Sequence, residues 1–327
     1  MNIKTRFLIL SDTHAGEVVL PNLPVDVAIH CGDLTDESKM DEFRTSLKFL
    51  RAINAPLKLV IAGNHDFTLD TPVFRKIVAG ADASITPGEI ERVYGDFGNA
   101  EQLLAEASRN GIVFLSEGIH HFDLQNGASL TVYASPFTPS REAGGGFQFK
   151  RGEHHDFAIG EGRAVDVVIT HGPPKGVLDL TDTKVRGGCE HLFAAVARAR
   201  PRLHCFGHIH EGWGAKLVAW RGQPSENPSH FTDIVNGSSV LLDSLATIGP
   251  GKWDTPETIL EKENRKRALK KDGYRLTSHC ALDEHPLELG RKTLFVNASI
   301  EPLNKEDGAQ LPWVVDIELP ATSLTCN

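Results

Sequence analysis

Five short clusters of Asp, Asn and His carry the chemistry of this sequence: Asp12-Thr13-His14, Gly32-Asp33-Leu34-Thr35-Asp36, Gly63-Asn64-His65-Asp66, Thr170-His171-Gly172 and Gly207-His208-Ile209-His210. Carboxylate, imidazole and amide oxygen together form a mixed donor set that suits divalent ions of the Mn, Fe and Zn type. Asp12 and His14 are two residues apart, so in an extended segment their side chains share a face and reach one ion. His208 and His210 have the same spacing, although a bend between them would send the two imidazoles to neighbouring ions. Asp33 has two oxygens and can bridge, Asn64 offers a neutral oxygen, and His171 adds an imidazole. A single histidine on an apolar segment is usually a hydrogen-bonded core residue, and a single aspartate at a strand end is usually a helix cap. Five clusters in one chain, each following an apolar run, point instead to a two-metal site bridged by Asp33.

The elements before each cluster must deliver it. Residues 6–10 read as a strand, apolar from Phe7 to Leu10, as inside a sheet covered on both faces. Residues 25–29 read as a second strand. Gly32 permits a sharp exit from it, leaving Asp33 at a carboxyl end, where open α/β sheets put their chemistry. Phe43, Leu47 and Leu50 mark an amphipathic helix over 41–53. Residues 57–62 form the strand that leads to Asn64. The stretch 67–98 is weakly patterned and reads as loop with a short helix near Phe74. A helix over 101–109 follows, with Asn99 as its cap. Strands are expected at 112–115, 119–124 and 130–134, the last two joined across Asn126-Gly127. Gly144-Gly145-Gly146 marks a mobile loop, either a surface connection or a substrate lid. Residues 165–170 lead to His171, and Pro173-Pro174 stops a helix from starting there. Cys189, Leu192, Phe193 and Val196 form a helical stripe of plain core packing. The strand 203–206 leads to His208, and further strands are expected at 216–220, 232–235, 293–297 and 313–319.

At 327 residues the length allows about two domains. The clusters run from 12 to 210, which excludes a boundary between them. The expectation is one domain over 1–327, with a charged helical insertion at 249–291 and C-terminal strands at 292–327 completing the sheets. Lys262, Arg265, Lys266, Arg267, Lys270 and Lys271 crowd that insertion. They read as a solvated helix face, with a nuclear-localisation or partner patch as the alternative. The formal charge of -9 argues against stable nucleic-acid binding, which needs clustered basic residues. Cysteines 31, 189, 205, 280 and 326 show no paired spacing, as expected of free thiols in a reducing compartment. The first apolar run is too short for a signal peptide, and no run approaches the roughly 18 apolar residues of a membrane span. A cytoplasmic protein without a membrane partner is expected, with a nuclear location as the alternative.

In this order the five clusters resemble the motifs of the calcineurin-like metallophosphoesterase superfamily, over about two thirds of the chain. A closer resemblance is to the brain-type metallophosphoesterase-domain-containing phosphodiesterases. It rests on Thr170-His171-Gly172-Pro173-Pro174, Gly188-Cys189, the run from Gly207 through Glu211-Gly212-Trp213-Gly214, Tyr133-Ala134-Ser135-Pro136, Gly146-Phe147, Arg151-Gly152 and Asn297-Ala298-Ser299. Asp66 stands where some members have Glu, and His208 is present where some have Gly, a change that cripples one site. The resemblance implies an α/β fold, a four-layer αββα sandwich of two mixed β-sheets flanked by helices. It implies one ion held by Asp12, His14, Asp33 and His210 and a second held by Asp33, Asn64, His171 and His208. His65 would act as acid or charge stabiliser, with Asp66 fixing its orientation.

Two cations roughly 3.5–4 Å apart would bind the phosphoryl oxygens and activate a bridging hydroxide for in-line attack. Manganese is the expected metal, and Fe, Zn, Mg or Ni also suit the donors. The implied activity is hydrolysis of small phosphodiesters such as cyclic nucleotides. The alternative is a phosphomonoesterase or Ser/Thr protein phosphatase on the same core. A metal-bound scaffold with little catalysis is disfavoured by seven candidate ligands plus His65. Phe137, Phe147, Trp213 and Trp220 are candidates to stack on a base or else pack the core. Arg141, Arg151 and Lys175 are candidate phosphate or ribose contacts.

Overall fold

Alternation along the first strand sets the layers. Phe7 and Ile9 face one buried cluster, and Leu8 and Leu10 face another, as the two-residue period of a strand requires. The computed structural model describes residues 2–322 apart from 83, 142–143, 161–163, 250, 252 and 304–308. Its elements are β1 (Asn2–Leu10), β2 (Val27–His30), α1 (Met40–Ala52), β3 (Leu57–Val60), α2 (Thr71–Ala79), α3 (Pro87–Tyr94), α4 (Asn99–Glu106), β4 (Ile112–Phe114), β5 (Gly118–Asp123), β6 (Ser129–Ser135), β7 (Thr138–Ser140), β8 (Gln148–Lys150), β9 (Val167–Thr170), α5 (Glu190–Ala199), β10 (Leu203–Phe206), β11 (Gly214–Ala219), β12 (Val240–Ser244), α6 (Leu245–Ile248), α7 (Pro256–Asp272), β13 (Arg275–Ser278), β14 (Lys292–Asn297) and β15 (Trp313–Pro320).

One sheet has the order β13-β15-β1-β2-β3-β4, the other β12-β11-β14-β10-β9-β6-β5, and β7 and β8 form a small pair of their own. In the first sheet β1 to β4 are parallel and β15 is antiparallel to β1. In the second, β6, β9, β10 and β14 are parallel, while β5 and β11 pair antiparallel to their neighbours. The inner faces share one apolar cluster, with Phe7, Ile9 and Ile29 against Val132, Val167 and Leu294. Phe43, Leu47 and Leu50 of α1, with Leu104 of α4, cover the outer face of the first sheet. Leu192, Phe193 and Val196 of α5 cover the second. Burial of each such side chain contributes about 1.5–3 kcal/mol. The result is the four-layer αββα sandwich with two mixed sheets. β1, β2, β3, β9 and β10 end at adjoining rims, so all five clusters are released at one seam.

Four local expectations are corrected. The stretch 67–98 holds the helix expected near Phe74, α2, and a second helix, α3, whose short stripe of Ile90, Val93 and Tyr94 is only half-buried. Asn99 is the first residue of α4 behind Gly98, and its Oδ1 accepts from Asp96 N–H at 2.8 Å instead of capping the helix. Residues 232–235 form no strand, only an Ile234–Trp220 bridge, because Asp233 ties the chain back onto Ser225 and Ser229. The 249–291 stretch holds α7 but also β13, which joins the first sheet's edge. Within the basic cluster, Arg265 pairs with buried Asp243 at 3.0 Å and Lys262 with Asp254 at 2.9 Å. Cys31, Cys189, Cys205 and Cys280 are free thiols; Cys326 and the end of the 292–327 stretch lie outside the described residues. Among the described residues no helix is long and apolar enough to cross a membrane.

Candidate metal centre

The turns after the strands are bent into left-handed backbone. Asp12, His14, Asp33 and His208 have φ of 56°, 46°, 54° and 66°. Such conformations cost non-glycine residues on the order of 1–3 kcal/mol each and persist only where the surroundings impose them. Two glycines show how tightly the turns pack. Gly32, at φ 99°, would place a Cβ 2.6 Å from both Ala62 O and His171 Nδ1, and a Cβ on Gly63 would strike the Asp33 carboxylate.

Three donor groups result. The ligand atoms of Asp12, His14 and His210 lie within 4.8 Å of one another, as do those of Asp33, His171 and His208, and those of His14, Asp36 and His65 at the exposed side of the centre. Asn64 Oδ1 is 3.0 Å from His171 Nε2. Asp33 Oδ2 lies 3.2 Å from His171 Nε2 and 4.0 Å from His14 Nε2, so this carboxylate stands between the first two groups. His171 Nδ1 bonds the Cys31 carbonyl at 2.9 Å and His14 Nδ1 the Thr35 carbonyl at 3.2 Å. Each ring donates there and turns Nε2 inward, as a ligating imidazole requires. His14 Nε2 is buried and faces the Glu301 carboxylate at 2.9 Å. Inward-facing imidazole nitrogens grouped with buried carboxylates fit a divalent ion. The first two groups offer the oxygen and nitrogen donors that such ions accept.

His65 stands beside the first two groups. Its backbone N–H donates to Asp33 Oδ1 at 2.8 Å, and its ring Nδ1 lies 2.6 Å from the Asp36 carbonyl. The side chain is 40% exposed, so Nε2 can meet an incoming group. Asp66 does not orient this ring; that expectation is corrected. Its buried carboxylate accepts from Gly63 N–H, Leu34 N–H, Thr35 N–H and the Thr35 hydroxyl at 2.9, 3.1, 3.0 and 2.7 Å. It fastens the turn after β2 to the turn after β3, and the Asp36 carbonyl holds the imidazole.

Electrostatics follow from burial and pairing. Burial alone would raise the Asp12 carboxyl, but the His210 hydrogen bond and charge hold it well below the usual range. Burial opposes protonation of His14 and His171. The Glu301 carboxylate and the Asp33 and Asp12 charges outweigh it at His14, and Asp33 and Asp12 do so at His171, lifting both imidazoles to about 9. His208 is pushed down to about 4 by burial and by the His171 charge. Burial and the Asp33 charge lift Asp66 to about 6 against its hydrogen bonds.

Several expected contributors lie elsewhere, and others were not anticipated. Trp213 and Trp220 are buried in the core and cannot stack on a ligand. Phe137 and Phe147 are half-buried with ring centroids 5.8 Å apart. Gly146 N–H donates to Asn64 O at 2.9 Å, which sets the 144–147 segment against the centre. Arg141 is exposed, Arg151 is bonded to Gly187 O, and Lys175 is paired with Glu190. Glu301 escaped the sequence reading; its Oε2 lies 2.9 Å from His14 Nε2 and 3.2 Å from His210 Nδ1. Asn297 also contributes, donating to Ile209 O at 2.9 Å and holding the 207–210 turn. The signal available was Asn297-Ala298-Ser299 at the end of an apolar strand, the same arrangement as the five clusters.

Comparison with known proteins places this centre in context. The calcineurin-like phosphoesterase family profile matches residues 5–212. The human and mouse proteins named metallophosphoesterase domain-containing protein 1 are each 35% identical over 216 residues, covering 64% of this chain and 62% of theirs. An Emericella nidulans protein named probable rhamnogalacturonate lyase C is 33% identical over 218 residues, covering 66% of this chain and 18% of its own length. The chain thus spans less than two thirds of the length of each of these relatives.

Proposed function

This chain belongs to the calcineurin-like phosphoesterase family, and from that premise we propose that it hydrolyses small phosphodiesters, cyclic nucleotides among them, at a centre of two divalent ions. The observation that carries the reading is the pair of donor groups with the Asp33 carboxylate between them. Asp12, His14, Asp33 and His210 would hold one ion; Asp33, Asn64, His171 and His208 would hold the other. Bound ions supply Lewis acidity and an activated water. The chain's own part is to fix that centre and handle the leaving group. His65, with Nδ1 held by the Asp36 carbonyl, turns Nε2 toward the substrate side. There it stabilises charge on the phosphoryl group and donates a proton to a poor leaving alkoxide. Asp66 keeps the two loops that carry Asp33 and His65 in register.

One feature supports a diester: the motif resemblance is to phosphodiesterases. Manganese suits a site built from imidazoles, carboxylates and an amide oxygen, and the free thiols suit a cytoplasmic setting. No stable nucleic-acid or membrane partner is proposed; the partner is the small phosphodiester or nucleotide itself. A panel of 3′,5′- and 2′,3′-cyclic nucleotides, an aryl diester, an aryl monoester and a phosphoserine peptide, on metal-reconstituted protein, tests this. Diesters should turn over faster. Faster turnover of the peptide or monoester assigns the centre to the phosphatase alternative.

A further inference from the structure

We propose that Glu301 is a carboxylate ligand of the ion held by Asp12, His14 and His210, delivered by the segment that follows β14. The proposal rests on the two-ion reading above. Glu301 Oε2 lies 2.9 Å from His14 Nε2, the nitrogen turned toward the centre, and 3.2 Å from His210 Nδ1, while His210 turns its Nε2 to Asp12 Oδ1 at 3.6 Å. Donor atoms that share an ion with bonds of about 2.0–2.2 Å lie roughly 3 Å apart. Glu301 Oε2 therefore stands where a further ligand of that ion would stand.

The backbone is built to hold it there. Ser299 bridges to Ser11 beside Asp12, and Ile300 N–H donates to Ser11 O at 3.0 Å. From the other side, Gln310 Nε2 donates to Glu301 O at 2.9 Å and reaches His210 O at 3.4 Å. The glutamate is thus clamped between the strand end that carries Asp12 and the turn that carries His210. The backbone of Glu301 is thus fixed by the same elements that place the other ligands. A third carboxylate also balances more of the charge of two divalent ions than Asp12 and Asp33 can alone.

The test is metal binding by wild-type protein, Glu301→Gln and Glu301→Asp, read by metal count and by titration against a competing chelator with Mn²⁺ and with Co²⁺. Circular dichroism of the metal-free proteins checks that each variant folds. Wild type should bind two ions. In Glu301→Gln one of the two affinities should fall by about 10- to 100-fold, the range seen even for lost outer-shell partners, while the other holds. The visible spectrum of bound Co²⁺ should change with the loss of an oxygen donor, and Glu301→Asp should restore part of the affinity. Two ions bound by Glu301→Gln at wild-type affinities, with an unchanged Co²⁺ spectrum, would overturn the role of Glu301 and leave the two-ion centre standing. Fewer than two ions on wild type would overturn both.

Discussion

In the proposed reaction His65 serves chemistry rather than metal binding. Its backbone N–H and ring Nδ1 meet the Asp33 carboxylate and the Asp36 carbonyl, and its ring groups with His14 and Asp36 rather than with Asp12 or Asp33. His65→Ala should therefore keep both ions and lose rate by about 10²–10⁴. The loss should shrink for nitrophenolate, which leaves without a proton. Steady-state kinetics on alkyl and nitrophenyl diesters read this directly, and equal losses on both would confine His65 to charge stabilisation.

The histidines also give the metal-free chain a signed pH dependence. His14 and His171 are lifted from 6.5 to about 9 against the pull of burial, by the carboxylates around them. The fold therefore gains stability from their protonated forms. That gain is complete below pH 6.5 and is lost as the pH rises through 9. Ions compete with the same protons, so metal affinity should climb across this window and binding should release protons. Thermal melts of chelator-treated protein and metal titrations in weak buffer measure the two trends. A melting temperature that rises from pH 6.5 to 9 without metal contradicts this assignment.

At this scale the sequence showed the seven proposed donors because each follows an apolar run that had to be a buried strand. Glu301 and the Asp36 carbonyl were not legible in the same way. One follows a strand by four residues with no neighbour of its kind, and the other acts through backbone, which no side-chain pattern reports.

Among the elements, the parallel strands β2, β3, β9 and β10 were readable because sheets covered on both faces leave unbroken apolar runs. α1 and α5 were readable because each buries one stripe. α3 is a two-turn helix whose stripe of Ile90, Val93 and Tyr94 is short and only half-buried. The pairing of β1 with β15 was equally hidden, since nothing local links residues 310 positions apart. It is secured by Arg6, whose Nε and Nη2 each donate at 2.7 Å to the two oxygens of Asp316. Asp316 is 1% exposed. Removing one partner of a buried pair costs about 3–5 kcal/mol. Arg6 keeps a third of its side chain in solvent, so Asp316→Ala should cost less, about 2–4 kcal/mol. Urea unfolding should show a lower midpoint at unchanged slope. A midpoint like that of wild type would mean that the pair is no more than a surface contact.

In the whole molecule, the centre belongs to the seam between the sheets. Asp12, Asp33 and Asn64 come from the first sheet and His171, His208 and His210 from the second, so ions bound across the seam tie the two layers together. β14 and β15 lie beyond the last cluster, yet they pair with β10 and β1, the strands that deliver His208 and Asp12. The fold around the centre is thus completed by residues outside the stretch that carries its motifs. Asp33 is the hinge of this arrangement, because its carboxylate faces donors from both sheets. Metal analysis of wild type, His14→Ala, His171→Ala and Asp33→Asn, after equilibration at a fixed free Mn²⁺ concentration, tests that claim most directly. Wild type should hold two ions, each histidine variant should lose chiefly one, and Asp33→Asn should lose both. Two tightly bound ions in Asp33→Asn would contradict the account.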